Sequence, residues 1–236
     1  IVLLDGRDLA IAFLGAQEWN GLSIPIEDLG KIELIRGPSS ALYGANAFNG
    51  VINISSEHPH DITGTKLTLA GGERDYLRTD VRYAATRGIW SYKMNLGRSQ
   101  GRSWSVDRKN LNFEYDGFTL LNNEEVSLLP GHVASTYGSL RIDRELSNGG
   151  VATIEGGTTQ VENEVFVTGI GRVQVPKAQK PWGRINYSNK NFYAQVWVAG
   201  RDSREPQLSL SSGLPLIEKS AISQAEVQYR TGLHDA

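Results

Sequence analysis

From Thr63 onward, short segments alternate apolar and polar residues, and this period of two constrains the fold more than any other feature. Alternation is typical of β-strands, whose successive side chains point to opposite faces. About eight such segments follow one another along the chain. They are Lys66–Ala70, Leu77–Ala85, Trp90–Leu96, Leu140–Ile142, Ala152–Ile154, Ile185–Tyr187, Phe192–Val198 and Ala225–Tyr229. The sequence therefore predicts antiparallel strands with one apolar and one polar face each.

The connections between these segments differ in length on the two sides of the predicted sheet. Tight turns are predicted at Arg87–Gly88, Leu146–Gly150 and Asn189–Asn191. Longer connections are predicted at Arg98–Val133, about Gln160–Pro181 and Arg201–Ser220, whereas the connection at Gly71–Asp75 is short. Long loops at one end and tight turns at the other are typical of outer-membrane β-barrels.

Aromatic residues cluster beside the tight turns. The cluster comprises Tyr83, Trp90, Tyr187, Phe192 and Tyr229. Such a band is expected where a barrel meets the membrane interface, although aromatics are also enriched in ordinary strands. Alternation alone does not separate a membrane barrel from a sheet with one solvated face.

Composition excludes several classes of function. The chain has no cysteine, which excludes disulfides and thiolate metal sites, and its 24 Lys and Arg against 26 Asp and Glu give no basic field for nucleic acid. No nucleophile elbow, Walker loop or zinc-protease motif is present. We therefore expect neither an enzyme nor a metal or cofactor site. His58 and His60 lack a third ligand and are interpreted as solvated linker residues.

The first 54 residues follow another pattern. Ile1–Leu4 predicts a strand that ends at an Asp5-Gly6 turn, and Pro25–Gly30 predicts a short helical turn. Because the chain opens inside a strand-like run, we expect an internal fragment. Lys31–Ile54 then predicts a strand, a tight turn, a short helical turn over Ala41–Tyr43, a loop and a second strand.

The stretch Lys31–Ile54 resembles the plug signature of TonB-dependent outer-membrane receptors. The matching residues are Arg36, Gly37, Pro38, Ser40, Ala41, Leu42, Tyr43, Gly44, Ala47, Gly50, Val51, Ile52, Asn53 and Ile54. The resemblance implies a mainly β chain, with an α+β plug fragment followed by about eight strands of an incomplete transmembrane barrel. On this interpretation residues 1–58 form the C-terminal part of the plug, 59–63 a linker and 64–236 the first part of the barrel.

The resemblance also implies a function. Receptors of this kind take up a scarce nutrient, such as siderophore-bound iron, cobalamin or a glycan, across the bacterial outer membrane. The implied partners are the TonB energy-transducing complex, outer-membrane lipid and a small-molecule or metal-chelate ligand. The matching plug-apex positions, which are candidate ligand contacts, are Trp19, Asn20, Tyr43, Asn46 and Phe48. Structural roles within the plug fall to Arg36, Gly37, Pro38, Gly44, Gly50 and Asn53, and Arg36 is expected to pair with Asp80, Glu155 or Glu226.

Two alternatives remain open on the residues alone. An autonomous barrel of about eight strands could serve as an anchor or adhesin, but side chains fill the interior of so small a barrel and leave no room for residues 1–60. A soluble β-sandwich binding module would need the apolar faces to share one core, and it would not account for the unequal loops.

Overall fold

The computed structural model describes residues 1–12, 15–37, 47, 49–102, 132–169, 171–210 and 214–231. These residues form a four-stranded sheet near the N-terminus and a ten-stranded sheet in the rest of the chain. Within the described part, no helix is long and apolar enough to cross a membrane.

The smaller sheet has the strand order β2-β1-β4-β3. Its strands are β1 (Val2–Leu4), β2 (Arg7–Asp8), β3 (Leu29–Arg36) and β4 (Gly50–Ser56). β1 runs parallel to β4, and the other pairs are antiparallel. Two 3-10 turns, Trp19–Gly21 and Ile26–Asp28, lie between β2 and β3. The apolar faces of β1 and β4 form its small core, with Leu4 and Ile54 on one side and Leu3 and Val51 on the other.

The predicted local elements of this region are confirmed where the structure describes them. The Asp5-Gly6 turn has positive φ at both residues, and Pro25–Gly30 contains the second 3-10 turn. Gly50 has φ of 143°, and a Cβ there would lie 2.5 Å from the Ile35 carbonyl oxygen. The position therefore requires glycine. The predicted helical turn over Ala41–Tyr43 lies outside the described residues.

Eight long antiparallel strands form the larger sheet, as predicted. They are β5 (Gly64–Gly72), β6 (Tyr76–Arg87), β7 (Trp90–Arg102), β8 (His132–Glu145), β9 (Val151–Thr168), β10 (Gly171–Ser188), β11 (Phe192–Ser203) and β14 (Lys219–Tyr229). Each pairs with the next along the chain. The short strands β12 (Gln207–Ser209) and β13 (Pro215–Leu216) form a hairpin whose first strand pairs with β10. The sheet is open, because β5 and β14 are its ends.

The three tight turns lie where the sequence predicts them, but the long connection predicted at about Gln160–Pro181 is wrong. β9 and β10 each run for 18 residues, and Thr168 pairs with Gly171 across a tight turn. The alternating pattern does not reveal these strand ends, because the buried side holds apolar residues there. Val161, Val173 and Val175 are fully buried and pack with Ile11. Within Arg201–Ser220, the β12–β13 hairpin occupies the middle of the connection. Most of the connection at Arg98–Val133 lies outside the described residues.

The outer face of the large sheet is apolar and exposed. Along β7, β8 and β11, the residues Tyr92, Ile142 and Val196 point outward, whereas their neighbours Lys93, Asp143 and Gln195 are buried. Among the predicted aromatic band, Tyr83, Trp90 and Tyr229 are exposed, and the Tyr187 and Phe192 rings lie 5.9 Å apart. An apolar outer face is what a membrane-spanning barrel wall presents to lipid.

Candidate binding site between the two sheets

The smaller sheet lies against the polar face of the larger sheet, and charged side chains fill the junction. We call the larger sheet the wall. Every second residue of its strands points towards the smaller sheet, so the polar residues of the alternating pattern face the junction. Among the described residues, three clusters of buried charge join the two sheets.

The first cluster surrounds Asp28, which ends the second 3-10 turn and is fully buried. The Lys93 ammonium lies 2.8 Å from its carboxylate, and the Asn95 amide donates a hydrogen bond at 3.0 Å. Lys93 also donates to the Glu57 carbonyl oxygen at 2.5 Å. Removing one partner of a buried ion pair typically costs about 3–5 kcal/mol, because the other charge is left uncompensated.

The second cluster holds the β1–β2 turn. Arg184 bonds the Glu155 carboxylate at 2.6 Å and donates a second hydrogen bond to the Asp5 carbonyl oxygen at 2.5 Å. Beside it, Arg141 bonds Asp143 at 2.9 Å and lies 2.8 Å from Nδ1 of His58. Arg184 thus binds the backbone of the β1–β2 turn and Arg141 contacts His58, while both arginines keep their own carboxylate partners.

The third cluster surrounds Glu18, whose side chain is fully buried. Arg201 bonds the Glu18 carboxylate at 2.7 Å, and the Lys180 ammonium lies 3.3 Å from it. Arg201 also bonds Glu218, which precedes β14, at 2.6 Å. Burial raises the pKa of Glu18, but Lys180 and Arg201 outweigh that effect, and the pKa is lowered overall. Glu18 is therefore a carboxylate at neutral pH.

Trp19 and Asn20 follow Glu18 directly and are held above the wall. The Asn20 amide donates to Glu164 at 2.8 Å, and the Ser135 hydroxyl donates to the Asn20 carbonyl oxygen at 2.5 Å. Trp19 remains 52% exposed. Upstream, Ile11 packs against Val161, Val173 and Val175 of the β9–β10 hairpin. The structure thus places an exposed aromatic ring beside anchored polar groups, which is a suitable surface for an amphiphilic ligand.

The other predicted site residues fall into two groups. Tyr43, Asn46, Phe48, Pro38 and Gly44 lie outside the described residues. Among the rest, Gly37 has φ of 92° and follows β3, Gly50 begins β4, and Asn53 donates to Glu33 at 3.1 Å.

The expected pairing of Arg36 with Asp80, Glu155 or Glu226 does not form among the described residues. Arg36 is exposed at the end of β3 and pairs through its backbone with Gly50. Asp80 instead bonds Arg78, and Glu155 bonds Arg184. Wall carboxylates are therefore neutralised by wall arginines.

Sequence reasoning missed the buried charges that anchor the plug-like sheet, chiefly Glu18, Asp28, Lys93 and Arg201. The available signal was the inward position of Lys93 in the alternating pattern. Nothing in a single sequence indicates that Glu18 and Arg201, 183 residues apart, form a pair.

Comparison with known proteins identifies the N-terminal region. Residues 1–51 match the family model of the TonB-dependent Receptor Plug Domain. The match covers 51 of the 236 residues, so the N-terminal region resembles the plug of a TonB-dependent receptor. We refer to the smaller sheet as the plug and to the larger sheet as the barrel wall.

Curated relatives of this chain include two proteins named Vitamin B12 transporter BtuB. The Photobacterium profundum protein is 28% identical over 137 residues, which cover 58% of this chain and 22% of the relative. The protein of Vibrio cholerae serotype O1 (strain M66-2) is 38% identical over 108 residues, covering 45% and 17%. This chain thus spans about a fifth of the length of these relatives.

Solved structures share the fold. The ferric enterobactin receptor PfeA of Pseudomonas aeruginosa (mutant G324V) matches with a TM-score of 0.54 and 13% identity, over 95% of this chain and 36% of that one. The siderophore receptor PiuA of Acinetobacter baumannii matches with a TM-score of 0.50 and 12% identity, over 87% and 29%.

Proposed function

We propose that this chain is part of a receptor that takes up a scarce nutrient across the bacterial outer membrane, with energy supplied by TonB. The observation that carries the proposal is the plug sheet seated on the polar inner face of a barrel wall through Asp28, Arg184 and Glu18. A wide barrel has a lumen that needs a plug, and a plug held mainly by polar contacts exposes only the small apolar cluster around Ile11 when it is displaced.

The proposed division of the chain follows the two sheets. Residues 1–58 supply the plug part, 59–63 the linker and 64–236 the barrel part. Lipid contacts fall on the outward residues of the wall, such as Leu140, Ile154 and Val196, each at least 57% exposed. This apolar band supports an outer-membrane location.

The proposed ligand site is the plug apex, formed by Trp19 and Asn20 together with Tyr43, Asn46 and Phe48. Its substrate class is an amphiphilic nutrient complex, with cobalamin and ferric siderophores as the first candidates. Relatives named for vitamin B12 transport and folds shared with siderophore receptors support these two classes. An exposed indole offers such a ligand a large apolar face, while the carbonyl and amide of Asn20 are already bonded to the wall.

Growth rescue tests the proposal. The gene for the full-length receptor is deleted from its host, and growth is measured with cobalamin or with one ferric siderophore as the limiting nutrient. We expect the deletion strain to fail to grow on one of these nutrients. The wild-type gene should restore that growth, except in a host that lacks TonB. Equal growth of the deletion and the parent on every candidate nutrient, with accumulation of radiolabelled nutrient unchanged, would contradict uptake.

A further inference from the structure

We propose an anion-binding site at Arg7, in the seam between plug and wall, that takes an oxyanion such as a phosphate or carboxylate group. The seam is the interface formed by β2 and the residues after it with the inner faces of β10, β11 and β14. The site is separate from the exposed surface at Trp19, and it rests on the proposed function only for the source of its anion.

Within the described part of the chain, Arg7 is a buried cation without a carboxylate partner. It lies on β2 with 3% of its surface exposed, and its guanidinium carbon is 3.6 Å from the centre of the Trp182 ring. Across the described ranges, no hydrogen bond or ion pair to its side chain is formed, and its Nε is buried without an acceptor. The buried wall arginines Arg141 and Arg184 each bond a carboxylate directly.

Trp182 supplies a second donor at the same place. Its indole N–H is buried and, among the residues that the structure describes, has no acceptor. Native structures rarely leave buried donors unpaired, because each loses its bonds to water on folding. Two such donors on stacked side chains form a site that an oxygen ligand would satisfy, and a guanidinium fork suits oxyanions in particular.

The space beside Arg7 fits a small anion in size and charge. Arg7 and Trp182 line a crevice of about 50 Å³, several times the roughly 10–15 Å³ that one water molecule needs. Its charged lining residues are Arg7, Asp8, Lys180 and Arg201. Lys180 and Arg201 are already paired with Glu18, so Arg7 supplies the positive charge for an anion.

The surrounding charges also leave Arg7 free for an external anion. Asp8 is exposed in part and accepts a hydrogen bond from the Ala10 backbone. Glu155 and Asp5 act on Arg7 only at longer range, since Arg184 bonds Glu155 and the Ser56 backbone N–H donates to the Asp5 carboxylate. Burial lowers the pKa of Arg7 to about 10, so the guanidinium stays protonated at neutral pH.

The crevice also connects the site to the plug apex. Gly21, the last residue of the Trp19–Gly21 turn, lines the same crevice as Arg7. An anionic group that entered beneath the apex would therefore meet Arg7 within the seam. Phosphate and carboxylate groups of a transported nutrient and free inorganic phosphate share the required chemistry.

Calorimetric titration of the purified full-length receptor with inorganic phosphate, at constant ionic strength with chloride as background, tests the site. We expect saturable binding to the wild type and none to Arg7→Gln. Trp182→Phe keeps the ring and loses the N–H, so we expect the Kd to rise about fivefold to tenfold. Arg36→Gln, which removes an exposed arginine from the same plug sheet, serves as the matched control and should bind phosphate like the wild type.

Absence of saturable phosphate binding to the wild type would overturn the site, as would equal Kd values for the wild type and Arg7→Gln. If Arg7→Gln does not fold, Trp182→Phe decides, and an unchanged Kd in that variant counts against the proposal. Competition between phosphate and nutrient uptake would assign the site to a group of the substrate, and binding without competition would assign it to a resident anion. Phosphate binding is measured on purified protein, without transport. A wrong anion site would therefore appear as absent phosphate binding, and a wrong proposed function as unchanged growth and nutrient uptake in the deletion strain.

Discussion

The Asp28–Lys93 pair gives the sharpest test of how the plug is held. Asp28→Asn keeps the shape of the side chain and removes its charge. Lys93 would then remain buried among neutral acceptors, which are the new amide oxygen at position 28, the Glu57 carbonyl oxygen at 2.5 Å and the Ser56 hydroxyl at 3.4 Å. Because these neutral acceptors stay, we expect a loss at the low end of the range for a broken buried pair, about 3 kcal/mol. That corresponds to a more than hundredfold rise in the unseated plug.

Lys93→Met should cost more, about 4 kcal/mol, because Asp28 would keep only the Asn95 amide and Arg82 at 3.9 Å. The double variant removes both charges. Since neither charge is then left uncompensated, its loss should fall short of the sum of the single losses by about 2 kcal/mol or more.

Limited proteolysis of the full-length receptor at low protease concentration across a urea series measures the unseated fraction, because cleavage tracks the population of the opened state when opening and closing are fast relative to cleavage. Glu33→Gln is the matched control. It removes a carboxylate from the same plug sheet, but its partner Lys31 is 66% exposed, so the midpoint should not change. Strictly additive losses in the double variant would refute the view that the buried pair holds the plug, as would an unchanged midpoint in both single variants.

Three further outcomes follow from the structure. Val196→Arg puts a charge on the lipid face and should lower the free energy of unfolding by about 2–4 kcal/mol near the midplane, measured by folding into lipid vesicles. Lys190→Arg, in a tight turn, is the control. An equal effect of both variants would contradict the membrane assignment. The pKa of Glu18 is lowered in the folded protein, so its contribution to plug seating is complete above its ordinary pKa of 4.5 and is lost as the pH falls through the folded value. Proteolysis of the wild type should therefore rise in acid, and Glu18→Gln should abolish that rise. A rise that persists in Glu18→Gln would show that another group causes it. Trp19→Ala should weaken nutrient binding about tenfold or more at unchanged stability, measured by equilibrium binding to whole cells, and an unchanged Kd would remove Trp19 from the site.

The fold was largely predictable because its signals are local. Alternation of apolar and polar residues sets the faces of each strand, and turn residues such as Asp5-Gly6 and Gly88 mark where strands end. These signals require no knowledge of distant partners. They gave the eight long strands and the three tight turns.

Prediction failed where two distant segments determine the structure together. The β9–β10 hairpin extends beyond its expected ends although Pro176 and Pro181 lie within β10, and proline argues against a central strand. The register steps from Val175–Glu164 to Lys177–Glu162, so the skipped Pro176 is opposite Asn163, whose φ is 54°. Such an irregularity accommodates the proline without ending the strand.

The candidate site shows the same limit. Trp19 and Asn20 were found through resemblance, but their anchors were not. The Asn20–Glu164 hydrogen bond joins residues 144 positions apart. Pairing of this kind depends on how the plug sheet is seated on the wall, and a single sequence carries no record of that arrangement.

The charged seam between plug and wall has a thermal consequence. Hydration of apolar surface raises the heat capacity, whereas hydration of polar surface lowers it. Lifting Asp28, Glu18 and the β1–β2 turn from Lys93, Arg201 and Arg184 exposes polar groups, while parting Ile11 from Val161, Val173 and Val175 exposes apolar ones. The two contributions to the heat capacity oppose each other, so the enthalpy of unseating should change little with temperature. Dissolved salt screens charges once water reaches them, so the ionic strength around the cell will influence how firmly the plug stays in place.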